Sequence, residues 1–442
     1  MEKTITTRFL DEIRALARKP VPEEAAAEAG QCLADYMACA VLGADLTKGA
    51  FEAEAGDVPL IGRHSKSSMH AAALINGMSA HMAELDDGQR FAMLHPGAPV
   101  ISALISAAAH YKIDGSSFIK GIVIGYETTI RLGAAIQPGH KLKGFHATGS
   151  CGAMGAALGL AAALDLKDEE WDAVFAAAAS DAAGLLQLID DGSELKPYNI
   201  GRAAAAGINA LIAGRSGLKG PGDVLGGKRG FFTATAAEIN EDRLLNGFMP
   251  QYAIKTIYRK PYAACRHTHA AIEAVLKLRE QYSFIPDDTE EILIRTYGLA
   301  IKGHEHTEIK GAGSAKMSMP YSVAAALKYG RVNYQQYEED CLSDEELACL
   351  MKRVRIEEDP ELSALVPAKR GAIVSIRSGK DTYTCRVDYP RGEPENPVTA
   401  QEIKDKFFSL CEAAGWDGAD SKELYEAVMD VENRLPRLLE LI

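Results

Sequence analysis

Glu84-Leu85-Asp86-Asp87-Gly88-Gln89-Arg90-Phe91-Ala92-Met93-Leu94-His95-Pro96-Gly97 joins two alanine-rich segments and decides how the chain is read. Its start predicts the end of a helix running from about Ser68 to Asp87, with Gly88 suited to the left-handed position just past a helix end. Its last residues predict a new helix, because Pro96 fits a first turn. Carboxylates beside a helix C-terminus oppose the macrodipole, by roughly 0.3–1 kcal/mol for each of Asp86 and Asp87. A sequence shaped only for stability would carry Lys or Arg there. The same placement favours the protonated carboxyl that a general acid or base near neutrality uses. The stretch reads as the core of an active site.

Outward from it, alanine-rich helical segments follow one another: Ala98–Tyr111, Ser116–Ala135, Ser150–Leu164, Asp168–Leu188 and Ile200–Ser216, preceded by Thr4–Ala17 and Pro22–Leu42. Small residues at helical spacing let such helices pack closely. No strand-like run interrupts them, so the expected fold class is mainly α, with an all-α helical bundle over the first ~250 residues. The texture changes after residue 258. Glu291–Tyr297 reads as a strand, and Ala372–Arg377 with Tyr383–Tyr389 as a hairpin through Ser378-Gly379-Lys380. Helices at His267–Gln281, Ser322–Lys328 and Asp344–Met351 separate them. The expected division is residues 1–258 with 400–442 as the helical domain and 259–399 as a smaller α+β domain.

The 442 residues are too many for one ordinary core. A net charge of −13 argues against nucleic acid and anionic membrane as partners but leaves room for a small anionic substrate held by a local field. Eight cysteines without regular spacing and a polar N-terminus without a leader pattern suggest a reduced, cytoplasmic protein. The longest uncharged run, Ala147–Leu164, suits a buried helix better than a membrane span.

Four cations or imidazoles precede expected helix starts: His95, His146, Lys196 and Lys260. Helix N-termini offer free N–H groups and partial positive charge, hence anion sites, and a histidine there tends to stay neutral, as a base requires. If these starts converge they form a pocket for a polycarboxylate, in which lysines hold carboxylates and histidines move protons. Glu84 and Asp86 add acid–base capacity, and Arg90 and Arg266 are further candidate substrate-binding cations. Each has a plainer reading, as a cap or a solvated turn residue. Cys265 and His269, like His81 and Glu84, would share a helix face, yet no second Cys/His cluster follows at a recognised spacing, so no metal is expected.

Taken together these residues resemble the MmgE/PrpD family. The likeness rests on Ala72-Ala73-Leu74-Ile75-Asn76-Gly77, His81, Leu85-Asp86-Asp87, His95-Pro96-Gly97 and Gly125-Tyr126-Glu127. It continues through Gly144–Gly149, Lys196-Pro197, Lys260–Arg266, Ser318–Ser322 and Gly392–Pro397, in order over nearly the whole chain. The resemblance implies a helical domain from both chain ends plus an α+β lid, a cleft between them, a homodimer, and cofactor-free chemistry on di- or tricarboxylates. It places active-site histidines on His95 and His146, lysines on Lys196 and Lys260, a lid tyrosine on Tyr321 and an aspartate of several members on Glu84. Cys265 stands where some members carry histidine. The first expectation is a dehydratase of a 2-methylcitrate-like acid; the alternatives are an epimerase of a dicarboxylate such as iminodisuccinate, a cis-aconitate-type decarboxylase, or a non-catalytic helical dimer.

Overall fold

The computed structural model describes residues 2–47, 54–63, 65–189, 193–282 and 288–442. The chain is mainly α-helical and divides into two compact units. The first comprises residues 1–187, 195–258 and 399–442; the second comprises 188–194 and 259–398.

In the first unit the centre is a pair of helices, Gly115–Ile136 and Ala147–Ala163, buried along almost their whole lengths. They touch through glycine. A Cβ on Gly155 would lie 2.8 Å from the Gly125 carbonyl oxygen and collide with the Thr129 hydroxyl, so the backbones meet where a side chain would separate them. Helices Glu23–Leu46, Met69–Met82, Gly97–Tyr111 and Lys196–Gly214 surround this pair. Helix Ala400–Ala413, from the C-terminal part of the chain, packs on Glu23–Leu46, with Ile403, Phe407, Leu410 and Cys411 buried. Among the described residues no helix is long and apolar enough to cross a membrane.

Two details depart from the sequence reading. Val58–Leu60 and Ser65–Ser67 pair as a short antiparallel ribbon, too brief at three residues each to show an alternating pattern. The helix before the acidic stretch ends at Met82, and the left-handed residue is Glu84, at φ 55°, not Gly88. Asp86 and Asp87 thus lie beyond the helix rather than in its last turn. Gly88 instead pairs with Tyr258 through reciprocal backbone hydrogen bonds.

The second unit holds a four-stranded sheet in the order Val354–Glu358, Thr289–Thr296, Ala372–Ser378, Asp381–Val387. The first pair is parallel and the others antiparallel. Ala372, Val374 and Ile376 are buried in alternation, as a sheet covered on one face requires, and helix His269–Tyr282 packs against the hairpin. Val354–Glu358, read from sequence as no strand, is an edge strand whose charged residues hide its period.

The glycine contact yields a test of the central packing. Gly155→Val should lower stability by about 1–3 kcal/mol or more through forced separation of the two helices, read as a fall in the urea midpoint. An unchanged midpoint would mean that the helices separate at little cost.

Candidate active site

The acidic stretch is buried and each of its charges has a partner. Helix Met69–Met82 delivers His81 at its last turn, fully buried. His81 Nδ1 is 2.8 Å from Asp86 Oδ2, and its Nε2 lies 3.1 Å from Glu84 Oε1, an ion-pair contact without hydrogen-bond alignment. Burial works against a charge on this imidazole, but Asp86 and then Glu84 outweigh it and hold its pKa above the usual value. Glu84 also bridges to Lys196, the first residue of helix Lys196–Gly214.

Asp87 is the joint between this cluster and the next helix. Its Oδ1 accepts from Gly97 N at 3.1 Å, its Oδ2 from Tyr126 Oη at 2.6 Å, and its backbone carbonyl from His95 Nδ1 at 2.6 Å. The carboxyl therefore sits at a helix N-terminus, where negative charge is favoured, the reverse of the sequence expectation. A Cβ on Gly97 would lie 2.9 Å from Asp87 Oδ1, so the approach needs glycine. Burial, with Asp35 and Asp86 close by, pushes Asp87 up to about 7 against the hydrogen bonds from Tyr126 and Gly97.

The two expected catalytic histidines have opposite tautomers. A carbonyl can only accept, so His95 carries its proton on Nδ1 and its Nε2 is the basic nitrogen. His95 is fixed further by its backbone N–H, which donates to Thr148 Oγ1 at 3.1 Å. His146 caps helix Ala147–Ala163. Asn199 Nδ2 donates to the Leu185 carbonyl at 3.1 Å, which fixes the amide, and its second hydrogen meets His146 Nδ1 at 3.3 Å. His146 therefore accepts at Nδ1 and carries its proton on Nε2. Burial, then the neighbouring Lys196 and the His81 and His95 rings, depress its pKa well below the usual value, so it is a neutral imidazole.

Behind the cluster, Lys406 from the C-terminal helix donates to Asp35 Oδ1 at 2.7 Å and to the Leu85 carbonyl at 2.6 Å. Burial opposes its charge, but Asp35 more than compensates and raises its pKa.

The first unit thus brings together Glu84, Asp86, His95, His146 and Lys196. It adds His81, Asn199, Tyr126 and Lys406, which the sequence reading left out of the site, and Asp87, which it placed in the core stretch without a separate role. His81 had one visible signal, its i,i+3 spacing to Glu84. His81, Asp86 and His95 place ligand-type atoms within 4.8 Å of one another, a spacing at which a cation could be held. The direct His81–Asp86 contact already occupies His81 Nδ1 and Asp86 Oδ2, His95 Nδ1 is held by the Asp87 carbonyl, and the nearby ammonium of Lys196 opposes a cation. Arg90 is also buried here, its guanidinium 5.1 Å from the Phe91 ring centre.

Lys260, Cys265, Arg266 and Tyr321 belong to the second unit. Lys260 is buried, in an irregular segment well before the next helical turn at Arg266, not at a helix start. Arg266 does not fit the expected substrate-binding role: its five N–H donors go to Glu393, His269 and the Pro390 and Arg391 carbonyls. Tyr321 is buried with its hydroxyl donating to the Gln336 carbonyl at 2.6 Å, surroundings that favour packing over proton transfer. Cys265 lies ahead of the helix rather than on it, so it does not face His269; its Sγ meets His304.

An imidazole with a basic Nε2, another with its proton on Nε2 and a lysine–carboxylate pair are thus all set at helix ends within the first unit. Residues 7–241 match the MmgE/PrpD N-terminal domain and residues 262–430 the MmgE/PrpD C-terminal domain, and the chain belongs to the MmgE/PrpD family. Among its relatives is the cis-aconitate decarboxylase-like protein oryM of Aspergillus oryzae, 24% identical over 100% of this chain and 98% of that protein. The cis-aconitate decarboxylase of Aspergillus terreus is 25% identical, covering 97% and 93%. The Homo sapiens cis-aconitate decarboxylase is 24% identical, covering 82% and 76%.

Asp87 supplies a pH test. Its folded pKa of about 7 stands above the unfolded value of about 3.9, so between these limits the native state keeps a proton that the unfolded chain has lost. Its contribution to stability therefore falls as pH rises from about 4 through about 7. Asp87→Asn should flatten that part of the stability–pH curve relative to wild type in urea titrations. Parallel curves for the two proteins would assign the proton elsewhere.

Proposed function

We propose that this protein is an enzyme, a lyase that acts on a small tricarboxylate by moving protons at carbon next to a carboxylate, without a metal. The observation that carries this reading is the pair of oppositely protonated imidazoles, His95 with a basic Nε2 and His146 with an Nε2–H, beside the Lys196–Glu84 pair. A carbon acid next to a carboxylate is weak, and its carbanion needs positive charge and hydrogen-bond donors around it, which lysine and helix N-termini supply.

The first reaction we infer is decarboxylation of a cis-aconitate-like acid, supported by the names of the relatives. The bond to one carboxylate breaks, its electron pair delocalises through the alkene towards a remaining carboxylate, and a proton is added at carbon. His146 Nε2–H is the proton donor, and Lys196 balances the carboxylate charge. Dehydration of a 2-methylcitrate-like hydroxy acid is the second reading. It draws on the same pair more fully: His95 Nε2 removes the proton on carbon, and His146 protonates the departing hydroxyl.

One assay separates the possibilities. The protein, treated with a chelator, is incubated with cis-aconitate, 2-methylcitrate and iminodisuccinate in deuterated water and followed by NMR. Carbon dioxide release with deuterium in the product supports decarboxylation. An unsaturated product formed with loss of water supports dehydration, and exchange with inversion would mark an epimerase. Silence with every acid, or loss of turnover on chelation, would sink the proposal.

With the active substrate in hand, His95→Gln, His146→Gln and Lys196→Met should each lose at least ~100-fold in kcat/KM while remaining folded by circular dichroism. Near-wild-type rates in all three would remove this cluster from the chemistry.

A further inference from the structure

The second unit holds a thiol–imidazole pair that the proposed acid–base chemistry does not use. Cys265 is half-buried, and its Sγ lies 3.7 Å from Nε2 of His304. The other ring nitrogen, His304 Nδ1, is 2.7 Å from the Met317 carbonyl oxygen. That oxygen can only accept, so the proton is on Nδ1 and the lone pair of Nε2 faces the sulfur. A nucleophile, a base and a group that fixes the base's tautomer thus stand in line.

The pair is held rigidly. His304 is buried, its backbone N–H donates to Ile301 O at 2.8 Å, and its carbonyl accepts from Met319 N at 2.8 Å. Cys265 donates its own N–H to Lys316 O at 2.9 Å. It caps the turn Arg266–Thr268, which runs directly into helix His269–Tyr282, so the sulfur also sits at the positive end of a long helical segment. The neighbouring ionisable groups are Glu305, whose Oε2 accepts from His304 N at 2.9 Å, His267, whose ring centre is 5.3 Å from that of His304, and Tyr297, whose hydroxyl is 2.7 Å from His267 Nδ1. Arg266, Arg370 and Glu393 share the electrostatic surroundings of Tyr297 and Cys265.

Of the other cysteines, Cys341 and Cys385 are also half-buried, and burial raises the pKa of Cys385. Cys32, Cys39, Cys151 and Cys411 are buried, and burial pushes Cys151 and Cys411 up to about 12. Cys349 is exposed, and so is the natural reference for an ordinary thiol.

We propose that Cys265 and His304 form an activated thiol that is a site of covalent modification by activated alkenes. In the reaction His304 Nε2 takes the thiol proton and Sγ bonds to the β-carbon of the alkene. The π pair moves to the α-carbon, which is protonated by the imidazolium, restoring neutral His304. No oxidant or second reactant is needed.

The test uses the full-length protein and substoichiometric N-ethylmaleimide, with the labelled cysteines identified by peptide mass spectrometry over a range of pH. Cys265 should be labelled at least ~10-fold faster than Cys349 at about pH 6. Its rate should fall less steeply with pH than the roughly tenfold per unit of an ordinary thiol well below its pKa. His304→Gln should bring Cys265 down to the Cys349 rate while Cys349 itself is unchanged. If that variant unfolds, which labelling of Cys151 and Cys411 would reveal, the wild-type pH profile decides alone. Cys265 labelling no faster than Cys349 at about pH 6, or equally fast in a folded His304→Gln protein, would overturn the assignment.

Discussion

The first unit is organised around a buried run of carboxylates that local interactions alone do not satisfy. Glu84, Asp86 and Asp87 are each at most 5% exposed. An ion removed from water costs several kcal/mol unless partners restore what hydration gave. Those partners come from across the chain. Glu84 and Asp86 flank His81 from the preceding helix, Glu84 also takes Lys196, and Asp87 takes Tyr126 and the start of the next helix. Lys406, more than three hundred residues away, closes the back of the loop on the Leu85 carbonyl. The loop can be ordered only when these helices are in place, so packing of the bundle and assembly of the site are one event.

The same constraint sets the chemistry. With Asp87 spending its carboxyl on Tyr126 and Gly97, its carbonyl remains to orient His95, and a carbonyl dictates which nitrogen holds the proton. Asn199 does the converse for His146, because its amide is already fixed by Leu185. Two residues of the same type thereby become different reagents, one basic and one protonated, without any difference in the side chains themselves. The strained turn at Glu84, a non-glycine residue with positive φ, is what swings its carboxylate onto Lys196 and His81 rather than along the helix.

Much of this was legible in the sequence. Helices announce themselves through small apolar residues at regular spacing, and most expected ranges are occupied by helix within a few residues. The hairpin Ala372–Val387 is equally plain from its alternation and its Gly379 turn. What failed was local. Gly88 looked like the left-handed residue because glycine usually is, yet Glu84 takes that conformation under the pull of its ion pairs. Val354–Glu358 was missed because an edge strand needs few apolar residues. The pairing of Cys265 with His269 assumed a helix that begins only after the cysteine, and the true neighbour, His304, lies 39 positions along the chain. Of the buried cluster, His95, His146, Lys196, Glu84 and Asp86 were visible from type and position, whereas most of the residues that orient them were not. Lys406, Asp35, Tyr126 and Asn199 are ordinary helical residues in sequence, and only tertiary folding turns them towards the acidic loop.

The charge balance of the cluster constrains what can enter it. Lys196 and His81, whose pKa is raised by Asp86 and Glu84, face those two carboxyls directly, so acidic and basic groups are matched in number within the cluster. Lys196 is already paired with Glu84, whose like charge would repel the polycarboxylate proposed as substrate strongly in a water-poor setting. Binding can proceed in two ways. Glu84 can swing off the ammonium and leave Lys196 to the substrate, or the complex can take up a proton so that one carboxyl of the cluster is neutral. Glu84 is the side chain suited to the first route, since its extra methylene gives it more rotamers than aspartate, and Asp87, already poised near neutrality, is suited to the second. In either route the acidic loop would do more than brace two histidines: under the proposed function, entry of an anion would be conditional on a change in the loop's own ionisation or geometry, and recognition of charge would be linked to readiness for proton transfer.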